Sequence, residues 1–212
     1  MSARYRPVSP ELLVEELTER IAEHASGDRV RVAVDGAGGG PAELADALVD
    51  PLRVLGREVL RVSAHDFLRP ASVRLERGRH DPDVRYEDWL DLGALRREVL
   101  DPAGPGGSGA VLPALWDPER DRAYRLPRTD LPPGAVLLVD GELLLGSGLA
   151  FDLTVHLWLS PAARERRLPA GQRWALPAYE RYEREVRPVE TADVVVRMDH
   201  PRNPAVRVSP RA

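Results

Sequence analysis

The 212-residue sequence contains no cysteine and no lysine, and all 30 of its basic residues are arginine. The lack of cysteine excludes disulfide frameworks, cysteine nucleophiles and thiolate metal sites. The lack of lysine leaves arginine as the strong cation with which this sequence could contact a phosphate group.

Long apolar runs and an excess of positive charge are also missing. No stretch of 18 apolar residues occurs, and the N-terminus lacks the apolar core of a signal peptide. The net charge is −4 and the isoelectric point is near 5.8, whereas nucleic acids and anionic membranes attract a basic surface. We therefore expect a cytoplasmic protein with no nucleic-acid partner and no membrane association.

The pattern of apolar residues predicts a single α/β domain over residues 1–212. Ser9 and Pro10 predict the start of an N-terminal helix over residues 9–26. Residues 30–205 form a core in which strands alternate with helices, which predicts a parallel sheet with right-handed crossovers. The predicted strands are 30–35, 58–63, 136–141, 153–159 and 192–196. The other predicted elements are a short helix over 91–100 and a hairpin of 111–117 with 122–126.

The stretch VRVAVDGAGGGPAELA, residues 30–45, places a glycine-rich turn between a strand and a helix. Backbone N–H groups of such a turn can surround a phosphate at the helix N-terminus. The signature G-x-x-x-x-G-K-[ST] is not met, because the loop is one residue short and Pro41 and Ala42 stand at its lysine and hydroxyl positions. Retained phosphate binding and a plain strand-to-helix turn both stay open. The candidate cofactor-binding residues of the loop are Gly36, Gly38, Gly39 and Gly40.

Titratable residues follow two predicted strands at the edge where open α/β sheets bind their ligands. His65 and Asp66 follow the second strand and could supply a general base, although such a pair also serves as a cap or a surface hydrogen bond. Asp140 follows four apolar residues, where kinases and nucleotide-hydrolysing proteins keep the acid on the magnesium side. Its alternative role is to cap the next segment. We take His65, Asp66 and Asp140 as catalytic candidates, and Asp140 as the candidate metal ligand.

Three arginines follow the fourth predicted strand in a lid-like segment at about residues 160–190. Arg164, Arg166 and Arg167 could fold over phosphate groups, and they are candidate cofactor-binding residues. A solvated helix surface rich in arginine and glutamate is the alternative interpretation.

Five stretches of the sequence together resemble the uridine kinase family of actinobacterial type. They are VRVAVDG, SAHDFLRP, RYEDWLDLGALRREVLDPAGPGG, VLLVDGELLL and TADVVVRMDHPRNP, in matching order over residues 30–205. The resemblance implies a P-loop NTPase-like fold, a three-layer α/β/α sandwich around a five-stranded, mainly parallel sheet. It also implies transfer of the γ-phosphate of ATP to the 5′-hydroxyl of a nucleoside, with Mg²⁺ as cofactor.

Several positions depart from that family. Its loop lysine and threonine fall on Pro41 and Ala42, so the Walker A loop is degenerate. Its catalytic aspartate falls on His65, with Asp66 at the next position of the motif, while the acid at the end of the strand is retained as Asp140. Phe67, Arg69 and Tyr86, which lie in these stretches, are the candidate substrate-binding residues.

These departures predict a uridine-kinase-like pseudokinase in which ATP-dependent phosphotransfer is lost or strongly weakened. Two alternatives stay open. The first is an active kinase of a nucleoside or similar small alcohol, with a rebuilt phosphate site and with ATP and Mg²⁺ as cofactors. The second is a non-kinase enzyme that uses His65 as a base in the same cleft. A nucleoside or nucleotide is the expected small-molecule ligand, and formation of a homodimer is left open.

Overall fold

The computed structural model describes residues 5–24 and 27–208. Its strands are β1 (Arg6–Pro7), β2 (Val30–Asp35), β3 (Val59–Ser63), β4 (Ala110–Val111), β5 (Trp116–Asp117), β6 (Arg122–Ala123), β7 (Thr129–Asp130), β8 (Val136–Gly141), β9 (Leu153–Trp158), β10 (Val194–Arg197) and β11 (Ala205–Val208). Its α-helices are α1 (Pro10–Ala22), α2 (Pro41–Val54), α3 (Ala71–Arg74), α4 (Pro82–Glu87), α5 (Leu92–Leu95), α6 (Asp101–Ala103), α7 (Pro161–Arg167), α8 (Leu176–Glu185) and α9 (Pro188–Thr191). A π-helical turn and two 3₁₀ helices complete the set: Arg96–Leu100, Ala64–Phe67 and Ala170–Ala175.

Seven strands form the central sheet in the order β1-β11-β10-β9-β2-β8-β3. The five from β10 to β3 are parallel, and β2 lies at their centre between β8 and β9. These strands are runs of valine and leucine, which suit a sheet that is covered on both faces. The loops after β2, β3 and β8 therefore meet at one edge of the sheet.

Helices cover both faces of this sheet and give three layers. On one face, α1 and α2 pack on alternate strand residues such as Val32, Leu138 and Val155. On the other face, Leu137 and Val139 pack against the chain around Phe67 and residues 94–103. Because alternate residues of a strand point to opposite faces, the two hydrophobic clusters share the same strands.

The structure confirms the mainly parallel α/β sheet and corrects several element boundaries. Two antiparallel strands, β11 and β1, extend the five parallel strands. The first helix begins as predicted, with the Ser9 side chain accepting a hydrogen bond from the Leu12 N–H at 3.1 Å, but it ends at Ala22. Residues 25 and 26, the predicted end of that helix, lie outside the described residues.

The helix predicted over 91–100 is confirmed in residues 92–100, as the turn α5 followed by the π-helical turn, and α6 continues it to Ala103. The predicted hairpin is confirmed in part. In the predicted hairpin, β5 does pair with β6, but Ala110–Val111 pairs with Thr129–Asp130 instead. No helix in the described part of the chain is long and apolar enough to cross a membrane.

Candidate functional site

The glycine loop lies at the end of the central strand β2 and packs closely on β9. A Cβ atom at Gly36 would lie 2.8 Å from the Leu157 Cβ, and one at Gly39 would lie 3.0 Å from the same atom. Gly38 and Gly40 have φ of 67° and 82°, a left-handed conformation that favours glycine. Close packing on Leu157 accounts for Gly36 and Gly39, and the left-handed backbone conformation accounts for Gly38 and Gly40.

Helix α2 begins directly after this loop. Gly40 precedes the first turn without a side-chain cap, and Pro41 is the first helical residue. Proline has no N–H group, so one of the donors that usually faces an anion is missing here. The Glu43 carboxylate turns back over this end, since its Oε2 would lie 3.2 Å from a Cβ placed on Gly40.

Asp140 ends strand β8 beside the loop and is buried, with 2% of its surface exposed. Its Oδ1 accepts a hydrogen bond from Arg61 Nε at 2.7 Å, and its Oδ2 accepts one from the Ser63 hydroxyl at 3.4 Å. Arg61 Nη1 also donates to Asp46 Oδ1 on α2 at 2.8 Å. The hydrogen bond to Asp140 raises the pKa of the Arg61 guanidinium, so Arg61 is a permanent cation at this acid.

A buried network around Asp35 was not predicted as part of the site. Asp35 Oδ2 lies 2.7 Å from His156 Nδ1 and accepts a hydrogen bond from the Tyr182 hydroxyl at 2.9 Å, while Oδ1 accepts one from the Leu144 N–H at 3.0 Å. The Tyr182 hydroxyl accepts a hydrogen bond from the Leu145 N–H at 3.1 Å. The network therefore ties the end of β2 to β9, to α8 and to the segment after β8. The sequence signal that could have identified Asp35 is its position, since it is a carboxylate at the end of a β-branched strand.

Two cavities lie on this side of the sheet. The larger has a volume of about 460 Å³ and is bounded by the end of β8, by α4 and by α8; its polar lining includes Ser63, Asp140 and Ser147. The smaller, of about 380 Å³, is lined by Trp89 and Trp174, whose ring centroids are 5.4 Å apart. Both volumes suit a small organic molecule.

Four residues line both cavities: His65, Leu68, Arg85 and Glu142. Arg85 pairs with Glu142, and the Tyr179 hydroxyl donates to Glu142 Oε2 at 2.7 Å. Burial and the Glu142 carboxylate raise the pKa of Tyr179, which keeps its hydroxyl protonated. Arg85 also lies over the Trp89 ring, 4.6 Å from its centroid.

The predicted catalytic residues His65 and Asp66 point to different surroundings. His65 is exposed and lines both cavities. Asp66 lines neither of them. Burial raises the pKa of its carboxyl group, and His65, Asp140, Asp117 and Tyr124 all lie close enough to affect it. His65 and Asp140 therefore share the larger cavity, and Asp66 lies outside it.

The three residues assigned to substrate binding also separate. Tyr86 lines the larger cavity, and the Arg181 guanidinium lies 4.5 Å from the centroid of its ring. Phe67 is fully buried in the core, and Arg69 Nη1 contacts Asp88 Oδ1 at 3.1 Å. Of these three, the structure places Tyr86 at a cavity.

The three arginines of α7 do not converge on one point. Arg164 is buried, with Nη2 2.6 Å from Glu183 Oε1, and its guanidinium lies 5.9 Å from the centroid of the Tyr179 ring. Arg166 is exposed. Arg167 donates to the Met198 carbonyl, and its Cβ lies 3.8 Å from a Cβ placed on Gly38. Of these three arginines, Arg167 is the one in contact distance of the glycine loop.

Solved structures with the same fold include kinases. A possible uridine kinase from Bacillus stearothermophilus superposes with a TM-score of 0.71 at 19% identity, covering 87% of this chain and 98% of that one. A candidate fructose transport system kinase from Silicibacter sp. TM1040 gives a TM-score of 0.60 at 23% identity, covering 87% and 95%. No protein-family model and no curated protein matches the sequence. The chain therefore shares the α/β fold of these structures, with a mainly parallel central sheet flanked by helices.

Proposed function

We propose that this protein binds a small molecule of nucleoside size in the larger cavity and that its ATP-dependent phosphotransfer is lost or strongly weakened. The observation that carries the proposal is the start of α2, where Pro41 and Ala42 follow the glycine loop. A kinase of this fold uses a lysine and a hydroxyl there, to contact the outer phosphates and to hold magnesium.

Charge at the loop supports the same conclusion. The Glu43 carboxylate turns back over Gly40 at the N-terminus of α2, where a helix attracts an anion. A phosphate group would meet this negative charge and would also lack the N–H group that Pro41 removes. Arg167, beside Gly38, supplies a nearby positive charge but is hydrogen-bonded to the Met198 carbonyl.

The residues at the loop and at the end of β8 do not fit ATP–Mg²⁺ as P-loop kinases hold it. The Ala42 side chain has no oxygen to offer a metal, and both oxygens of Asp140 accept hydrogen bonds from protein side chains. Loss of one preorganised charge-stabilising donor typically slows catalysis by about 100- to 1000-fold. Because several such groups are missing together, we expect negligible transfer of phosphate from ATP.

The larger cavity remains suited to a small ligand. Leu68 and Leu90 provide apolar lining, and Tyr86, Glu142 and Ser147 provide hydrogen-bonding groups. A few polar groups on an apolar wall are typical of small-molecule sites. Uridine is the first ligand to test, since one of the similar structures is a possible uridine kinase.

Calorimetry with uridine, ATP and ATP–Mg²⁺, together with a coupled assay of ADP release, tests this proposal. We expect saturable uridine binding, no binding of ATP–Mg²⁺ at micromolar concentrations and no ADP release. Glu142→Gln should weaken uridine binding about tenfold, because it removes a charged hydrogen-bond acceptor. Arg53→Gln, at the far end of α2, should leave it unchanged. Micromolar ATP–Mg²⁺ binding with phosphorylation of uridine would overturn the proposal.

His65 favours a second candidate function. It is the catalytic candidate that lines both cavities, a position from which an imidazole could accept a proton from a bound molecule. In that case the protein is a non-kinase enzyme in which His65 acts as the base. His65→Gln should then abolish turnover while the substrate still binds, whereas a variant that keeps full turnover would eliminate this candidate.

A further inference from the structure

Arg61 is a permanent cation that contacts two carboxylates, Asp46 and Asp140. It lies on β3, two residues before Ser63, so that both side chains point to the same face of the sheet as Asp140 on the neighbouring strand. Its Nε is 2.7 Å from Asp140 Oδ1, and its Nη1 is 2.8 Å from Asp46 Oδ1 on α2. One guanidinium therefore joins the acid at the end of β8 to the helix that follows the glycine loop.

Each oxygen of Asp140 has one protein donor within hydrogen-bond distance. Arg61 donates to one oxygen, and the Ser63 hydroxyl donates to the other at 3.4 Å. Ser63, Asp140 and Ala42 all line the larger cavity, and the Ala42 methyl group offers no metal ligand. A guanidinium has only donors and stays charged at every relevant pH, so a divalent cation approaching Asp140 would be repelled and would find its carboxylate engaged.

We propose that Arg61 is a built-in counter-ion that takes the place of a divalent metal at Asp140. The cleft then accepts its ligand without a divalent cation, and it selects molecules without a metal-chelated phosphate chain, such as a nucleoside. This inference rests on the proposed function, since it specifies the class of ligand for the same cavity. It assigns the selectivity to a residue on β3, outside the degenerate loop.

Manganese binding to the protein alone provides the test. Free Mn²⁺ is measured by electron paramagnetic resonance during titration of the wild type, Arg61→Met, Arg61→Lys and Arg53→Met. We expect no saturable site in the wild type. Arg61→Met should gain one, at least tenfold tighter than any wild-type binding, because it releases two carboxylates, Asp46 and Asp140, that can both bind Mn²⁺. Arg61→Lys keeps the positive charge and should gain none.

The controls separate a specific site from a general change in charge. Arg53 is 59% exposed at the end of α2, so Arg53→Met removes one positive charge without freeing Asp140 and should not bind Mn²⁺. The double variant Arg61→Met with Asp140→Asn should lose the new site. A folded Arg61→Met protein without an Mn²⁺ site, as judged by circular dichroism, would refute the proposal.

The wild type also gives an answer if Arg61→Met does not fold. An Mn²⁺ site in the wild type that Asp140→Asn removes would overturn the proposal. The absence of an Mn²⁺ site in both the wild type and Arg61→Lys supports it. Uridine calorimetry in EDTA and in Mg²⁺ separates this inference from the proposed function. Equal affinities support both. A strict need for Mg²⁺ contradicts the role of Arg61 alone, and failure of uridine to bind in either buffer contradicts only the proposed ligand.

Discussion

His156 is a buried histidine that lies between two carboxylates. Its side chain is 3% exposed, its Nδ1 is 2.7 Å from Asp35 Oδ2, and its Nε2 is 3.9 Å from Glu183 Oε1. Burial alone would lower the pKa of His156, but the hydrogen bond to Asp35 and the Glu183 carboxylate outweigh burial and raise it from 6.5 to about 9. The raised pKa favours the charged imidazolium, which would balance Asp35 inside the protein.

We expect His156 to make the free energy of unfolding depend on pH. The folded-state pKa is the higher one, so the stabilisation is fully present below pH 6.5 and is lost as the pH rises through about 9. At about 1.4 kcal/mol for each pKa unit, the contribution is on the order of 3 kcal/mol. Urea denaturation between pH 6 and 9.5 should show this decline in the wild type and a much flatter profile in His156→Asn. Parallel profiles for the two proteins would show that His156 is not charged.

Part of the site could be predicted from the sequence, for reasons visible at single residues. Asp140 could be placed at the edge of the sheet because it follows a continuous apolar strand. The partners of Asp35 could not be found, since His156 and Tyr182 lie 121 and 147 residues along the chain. The different surroundings of His65 and Asp66 follow from the 3₁₀ turn Ala64–Phe67, which a two-residue motif does not reveal.

At the level of elements, Arg181 joins α4 to α8 at the edge of the larger cavity. Its guanidinium contacts Asp83 at 3.1 Å and Glu87 at 2.8 Å on α4, and Glu185 at 2.9 Å on its own helix. These two helices also supply cavity residues such as Tyr86 and Tyr182. The contacts therefore link the two helices that form this wall of the cavity.

We expect Arg181→Gln to loosen α4 and α8 without unfolding the protein. Amide hydrogen exchange in residues 82–87 and 176–185 should become faster. The difference from the wild type should shrink in high salt, because exposed ion pairs are screened. Arg184→Gln is the matched control, since Arg184 is 68% exposed and contacts Glu185 alone among carboxylates of the described chain, at 3.5 Å. Equal exchange in Arg181→Gln and wild type at low salt would contradict this role of Arg181.

The parallel strands and the pairing of β5 with β6 could be predicted, and the other short antiparallel pairs could not. Runs such as Val136–Gly141 are rich in β-branched residues or leucine, and they are long enough to be recognised from the sequence as buried strands. By contrast, β1 and β11 pair across nearly the whole chain through only two residue pairs, Arg6 with Val206 and Pro7 with Ala205. Strands this short have no periodicity of their own, so their pairing is decided by tertiary contacts.

At the scale of the whole molecule, strand β8 serves both hydrophobic clusters. Leu138 packs with α1 and α2 on one face, whereas its neighbour Leu137 packs with the cluster around Phe67 on the other. Both leucines are fully buried. The same backbone supports the two clusters, so loss of the packing on one face should expose the cluster on the other face to solvent. We therefore expect the described chain to unfold in one cooperative step.

Leu137→Ala and Leu138→Ala test this cooperativity from opposite faces. We expect each to lower the free energy of unfolding by about 2–5 kcal/mol, the usual cost of truncating a buried leucine to alanine. Leu126→Ala, at a side chain that is 46% exposed, should change it little. In both core variants, far-ultraviolet circular dichroism and tryptophan fluorescence should report the same urea midpoint. A second transition in either variant would mean that one face unfolds alone, and the sheet would then couple the ligand cavity to α1 and α2 only weakly.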